Sequence, residues 1–401
     1  MISSIAAGIW GSGYGYKKVV LIPDSFKGTL SSTRVCEIMD SSIKRRFPDC
    51  EVIQIPVADG GEGTVDCFLQ AVGGRKRTVR VPGPFLDPVA GFYGILENEE
   101  RTAVIEMAAC AGLPLAEGRE NPEKASTYGV GGLIADAMEQ GCREFVLGLG
   151  GSATNDGGCG MAAALGVRFL NKEGKPFLPA GGNLLELCSI DMSGLHPALK
   201  ECRFTAMCDI DNPMYGPLGA ACIFGPQKGA DEAMVKRLDA GLRHLSGVLA
   251  RALGRDVSGL PGAGAAGGMG GGAAAFLQAQ LRSGIEVVLD TVRFDERIEG
   301  ADVIFTGEGR LDCQSLMGKV VGGVAQRAKR KGIPLVAVAG SIDENTGDIY
   351  ASGVSAAFSI TRKPVPFREA RKSSEENLAF TMDNILRLLA ISEGNKAGTE
   401  G

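Results

Sequence analysis

KKVVLIPDSFKGTLSSTRVCEIMDSSIKRRFPDCEVIQIPV, residues 17–57, carries three hydrophobic rhythms in succession. Val19-Val20-Leu21-Ile22 is a continuous apolar run, short enough for a strand buried on both faces. Val35, Ile38, Met39, Ile43 and Phe47 then recur at helical spacing, with Ser31 or Ser32 placed to cap the helix. Val52 to Val57 reads as a strand again, and Gly61 to Val72 as the next helix. This β-α-β-α order predicts a mostly parallel sheet with helices on both faces.

The rhythm returns near the other end. Asp302 to Thr306 predicts a strand, Lys319 to Lys331 a helix, and Pro334 to Ala339 and Val354 to Ile360 two more strands. Phe367 to Ala390 predicts one long amphipathic helix. Arg327, Lys329, Arg330 and Lys331 precede Gly332, which suits cations at a helix C-terminus with glycine as cap. The middle differs. VPGPFLDPVAG (81–91) is dense in proline and glycine and reads as a boundary. Strands near 103–107 and 144–149 and helices near 127–140 and 158–165 follow. PGAGAAGGMGGG (261–272) can be a hinge, a linker or an anion loop; it reads first as a hinge between domains, whose closure excludes water from a reaction. The expected division is a tail at 1–16, one domain from 17–80 and 285–391, an inserted domain at 81–284, and a disordered tail at 392–401.

The 401 residues are enough for two domains with sizeable cores. The net charge of −5 builds no broad basic field, which argues against nucleic acid or an anionic membrane as the main partner. Eleven cysteines without a CxxC pair suggest reduced thiols in a cytoplasmic protein, not a disulfide framework or zinc site. No apolar run reaches the roughly 18 residues of a membrane span. MISSIAAGIWGSGYGY carries no early Lys or Arg and reads as a tail, not a signal peptide. Glycine, at 59 residues, is about twice its usual share of roughly 7% and clusters in short loops.

Four of those loops hold polar residues just after predicted strands: Asp24 to Gly28, Asp59 to Thr64, Gly148 to Gly160 and Thr306 to Asp312. In open α/β sheets ligands lie off the carboxyl ends of the strands. Glycine there lets backbone N–H groups approach an anion such as phosphate, although any one such loop can equally be a tight turn. Phosphoryl transfer needs cations, a carboxylate-held metal, and a group that orients the attacking hydroxyl. Lys27, Lys228, Arg310 and Lys319 can supply charge. Asp24, Asp59, Glu62, Asp156, Asp209, Asp211, Glu308 and Asp312 form the acid pool. Neither Gly174-Lys175 nor Gly318-Lys319 fits a Walker A loop, and His196 and His244 lie outside the glycine-rich motifs. Gly148, Gly150 and Ala153 match a loose GxGxxA, which keeps a nicotinamide-dependent dehydrogenase as a second class. The acidic residue that class needs about twenty positions on has only Glu173 as counterpart.

PDSFKGTLSS (23–32), ADGGEGT (58–64), GGSATNDGG (150–158), DIDNP (209–213), FGPQKGA (224–230), PGAGAAGG (261–268) and TGEGRLD (306–312) occur in this order. Together they closely resemble the bacterial glycerate kinase type I family, from about Lys17 to Ile360 or beyond. The resemblance implies two α/β domains: a flavodoxin-like parallel-sheet domain built from both chain ends, and an inserted restriction-endonuclease-like α/β domain. It implies ATP-dependent phosphorylation of D-glycerate to 2-phosphoglycerate by a monomer or homodimer; a kinase of another small hydroxy acid is the alternative. On it we base candidate roles. Gly150, Gly151, Ser152, Asn155, Asp156 and Lys319 hold ATP. Glu308 and Asp312 hold Mg²⁺, and Lys27 neutralises the transferring phosphoryl group. Asp59 or Asp211 orients the glycerate hydroxyl, and Arg310 pairs with its carboxylate. Asp24, Ser25, Glu62 and Lys228 complete the substrate site. The leader before Lys17 and Cys313 depart from the family pattern.

Overall fold

The computed structural model describes residues 16–397, apart from 59, 317–318 and 347. The predicted leader at 1–16 therefore lies almost wholly outside the described residues. The chain divides into two compact units, Met1–Val57 with Arg293–Gly401, and Ala58–Val292.

The first unit is a five-stranded sheet with every neighbour parallel. Its order is Ala356–Ser359, Leu335–Ile342, Val303–Leu311, Lys18–Pro23, Glu51–Gln54. Numbered along the unit, this is 2-1-3-4-5, the flavodoxin-like order. Lys18–Pro23 is buried from Val19 on because helices cover both faces. The first helix, Ser32–Arg46, starts where the Ser31 side chain accepts a hydrogen bond from the Arg34 amide, and Lys44, Arg45 and Arg46 occupy its last turn. Val35, Cys36, Ile38, Met39 and Ile43 face the sheet and pack with Leu378, Met382 and Ile385. Each large aliphatic chain buried there contributes about 1.5–3 kcal/mol. The cationic run near 330 ends the helix Val320–Lys331, with Gly332 left-handed at φ 68° behind it.

The second unit is built on a six-stranded sheet. Gln280–Arg282, Arg203–Met207, Glu144–Gly148 and Ala103–Glu106 run parallel, and Pro88–Leu96 and Gly74–Pro82 extend it antiparallel. A three-stranded antiparallel sheet, with Arg168–Leu170 between Pro176–Phe177 and Ser189–Asp191, lies in the same unit. All eleven cysteines are free.

Five expectations change. The proline-rich boundary at 81–91 is a hairpin turn: Pro82 pairs with Pro88, so residues 58–80 belong with the second unit, and the division falls at 57/58 and 292/293. The hinge at 261–272 runs into a buried helix, Ala265–Phe276, inside that unit. Ala266, Gly267 and Gly268 take left-handed angles there, so a kink, not a flexible joint, is what the small residues permit. TGEGRLD is not a loop after a strand, because the strand runs on to Leu311. Phe367–Ala370 and Ser374–Ala397 are separate helices broken by a 3₁₀ turn. The second of them continues through 392–397, where a disordered tail is expected.

Candidate active site

In the first unit, the strand Lys18–Pro23 ends at Asp24, whose amide donates to the Gly307 carbonyl at 2.8 Å. That contact sets the Asp24–Gly28 loop beside residues 307–311 of the neighbouring strand. Gly307 and Gly309 make the approach possible. A Cβ on Gly307 would run into the Val338 carbonyl, and one on Gly309 would sit 3.0 Å from the Lys27 amide nitrogen. Between the glycines stands Glu308, only 8% exposed, whose Oε1 has no hydrogen-bond partner among the described residues. Burial pushes its carboxyl up to about 7. The Ser315 hydroxyl and Lys319 pull it back, and Asp24 and Asp312 push it further up. The Asp312 amide donates to Ser315 Oγ at 2.9 Å. Asp24, Glu308, Asp312 and Lys319 thus share one electrostatic neighbourhood, with Ser25 and Lys27 on the adjoining loop. The sheet order places this cluster at the switch point between the first and third strands, where open α/β sheets bind ligands. Arg310 lies on the exposed side of its strand and is ion-paired to Asp343.

In the second unit the Gly148–Gly160 stretch is largely interior. Ser152 to Gly160 are all buried, and only Gly151 is exposed. Lys228, 2% exposed, donates from Nζ to Ser152 Oγ at 2.8 Å and to the Thr154 carbonyl at 2.7 Å. Burial pulls its ammonium down to about 7, and Asp156 opposes that pull. Asp156 accepts from the Thr127 amide (2.8 Å) and hydroxyl (2.9 Å) and from the amides of Gly158 and Gly160 (both 3.1 Å). Burial pushes its carboxyl up, and those donors act against it. Asn155 is fully buried, and neither amide atom has a partner among the described residues.

This arrangement revises part of the expected phosphate loop. The Gly150 amide donates to the Gly60 carbonyl, Ala153 to Ala111 and Gly157 to Gly267, so these amides are committed inside the protein. Gly150 is glycine because a Cβ there would lie 2.6 Å from the Gly61 Cα. Asp156 is a buried acceptor that organises its own loop. The following helix begins only at Cys159, so the loop lacks the tight strand-to-helix turn of a dinucleotide site. Gly151 is where the loop meets solvent, with Ser152 buried directly behind it.

Other predicted residues stand apart from the buried network. Glu62 and Asp211 are exposed on loops of the second unit, and Asp59 lies outside the described residues. Asp209 holds the N-terminus of the helix Gly284–Thr291, accepting from the Gly284 amide at 2.7 Å. Three participants escape the sequence reading. Ser315 and Thr127 gave no signal beyond an ordinary hydroxyl. Glu106 ends an apolar strand and binds the Val65 and Gly63 amides at 2.6 and 3.3 Å, fixing the loop after Asp59. An acid closing a buried strand before a glycine-free helix start was its one visible sign. Burial pushes its carboxyl up, against those two amides.

Among the described residues, no three His, Cys, Asp or Glu side chains are gathered to hold a metal on their own. Mg²⁺ typically takes one or two carboxylates and completes its shell with water and phosphate oxygens. The unpartnered Oε1 of Glu308 near Asp312 fits an ion of that kind arriving with a nucleotide.

A glycerate kinase family model matches residues 19–390. A glycerate kinase of Bacillus cereus is 47% identical over 94% of this chain and 98% of its own. The Escherichia coli K12 glycerate 2-kinase is 42% identical over 94% of this chain and 99% of its own. A crystal structure from Salmonella typhimurium LT2, described as a candidate glycerate kinase 2, superposes with a TM-score of 0.83 at 40% identity. It covers 96% of this chain and 100% of that one. No described helix is long and apolar enough to cross a membrane.

Proposed function

This chain belongs to the glycerate kinase family, and from that premise we propose that it transfers the γ-phosphoryl group of ATP to D-glycerate, giving 2-phosphoglycerate and ADP. The observation that carries the reading is the Glu308 cluster at the switch point of the parallel sheet, with a buried, unpartnered carboxylate oxygen in the field of Lys319.

Lys27 neutralises charge on the transferring group, and Lys319, at the N-terminus of the helix Val320–Lys331, adds to the positive end of that helix. Glu308 and Asp312 would hold Mg²⁺, which neutralises β- and γ-phosphate oxygens. To hold that ion Glu308 would have to be ionised, because a ligand carboxylate must lose its proton. Asp24 and Ser25, on the loop beside Glu308, are the proposed glycerate contacts. Arg310 meets the glycerate carboxylate by exchanging Asp343 for it, a replacement its planar fork suits. For the second unit, taken by itself, Gly151 and Ser152 are the proposed phosphate contacts, and Asp59 or Asp211 the proposed acid for the acceptor hydroxyl. Lys228 acts through Ser152, because its ammonium is enclosed.

Purified protein with D-glycerate, ATP and Mg²⁺ is expected to release ADP, and phosphorus NMR is expected to show the 2-phosphate. No ADP under those conditions removes the reading. A panel of small hydroxy acids reads the alternative: a better substrate than glycerate would reassign the acceptor and leave the kinase in place.

A further inference from the structure

The second unit holds a pair that the proposed transfer to glycerate leaves unused as chemistry. Ser152 Oγ lies 2.8 Å from Lys228 Nζ. Both residues are at most 5% exposed, and Gly151 next to them opens to solvent. In that contact Nζ donates to Oγ; as the neutral amine, still donating to the Thr154 carbonyl at 2.7 Å, Lys228 turns its lone pair to the Ser152 hydroxyl and takes the proton as the oxygen attacks, the pairing of an activated nucleophile. The third part of such a constellation is a group that steadies the base. Asp156 fills it here, fixed by its four donors and electrostatically coupled to Lys228.

We propose that Ser152 is a phosphoryl acceptor on the enzyme itself, with Lys228 as its base and a nucleoside triphosphate as donor. The proposal rests on the kinase reading above, since that activity supplies ATP. Ser152 Oγ forms a bond to the γ-phosphorus as the bond between that phosphorus and the β,γ-bridging oxygen breaks. The hydroxyl proton moves to the neutral amine of Lys228, and ADP leaves with the bridging oxygen. The products are phosphoserine, ADP and a Lys228 ammonium facing Asp156. Burial holds Lys228 near 7, so a large share of the amine is free base at neutral pH, which an exposed lysine is not.

The test is γ-labelled ATP and Mg²⁺ with the whole protein, no glycerate present, followed by intact mass and peptide mapping. The expected result is label approaching one phosphoryl group per chain, located on Ser152. Ser152→Ala should carry none, and Ser152→Thr, which keeps a hydroxyl, should retain labelling. Lys228→Met should slow labelling by about a hundredfold or more, the usual worth of a general base. Wild-type protein that turns over glycerate yet takes up no label overturns this proposal alone. Label on another residue overturns it too. Absence of both label and turnover with glycerate would count against the kinase reading itself.

Discussion

Glu308 concentrates the chemistry of the first unit in one side chain. Its carboxyl moves from 4.5 to about 7 because the folded chain takes it out of water. Between those two values the native state binds the proton and the unfolded state does not. Stability therefore falls as pH rises from about 4.5 to 7, by an amount on the order of 3 kcal/mol if the shift is fully expressed. Glu308→Gln removes that slope. Thermal melts should show the variant gaining on wild type from pH 5 to pH 8, while its turnover with Mg²⁺-ATP collapses. Parallel curves would mean that the carboxyl is hydrated in the native protein. Lys27→Ala should lose about a hundredfold or more in kcat/KM with little change in melting temperature, as expected for a cation aimed at transition-state charge. Retention of most of the turnover would release Lys27 from that role. These residues were visible in the sequence by type and by glycine-rich context. The protonation behaviour was not, because it comes from the depth at which the strand sets them.

At the scale of the element, the long strand Val303–Leu311 shows how glycine misleads. Thr306-Gly307-Glu308-Gly309 has the composition of a loop, yet its glycines serve close approach between neighbouring strands and the Asp24–Gly28 loop. Gly307→Ala should therefore cost at least about 2 kcal/mol through overpacking, read as a lowered melting temperature. A neutral result would mean that the strands are farther apart than described. The helix Ala265–Phe276 was missed for the same reason. Small residues signal freedom in the sequence, and only a partner such as Gly157, packed against Gly272, reveals that they serve contact. The strand-helix rhythm at both ends was legible because period and length differ sharply between buried strands and amphipathic helices. The 81–91 turn was read as a boundary because a proline-rich hairpin and a linker share a composition.

At the scale of the whole molecule, the second unit is continuous in sequence and owns its sheet and cores. A fragment of residues 58–292 is expected to fold alone and to melt in one cooperative transition by calorimetry; a molten, dye-binding fragment would contradict that. Neither piece of the first unit should do so. Lys18–Pro23 pairs along its length with Val303–Leu311, and Thr306 Oγ1 donates to the Ile22 carbonyl across 284 residues of chain.

That long-range pairing bears on biosynthesis. Translation delivers the first strand early and its principal neighbour only after nearly three hundred more residues have left the ribosome. During that interval Val19 to Ile22 lack the neighbouring strand Val303–Leu311, and the apolar face of Ser32–Arg46 lacks Leu378, Met382 and Ile385, while the continuous unit can already be complete. The nascent amino-terminal segment thus waits with part of its apolar surface uncovered, and the last stretch to be translated is what closes over it.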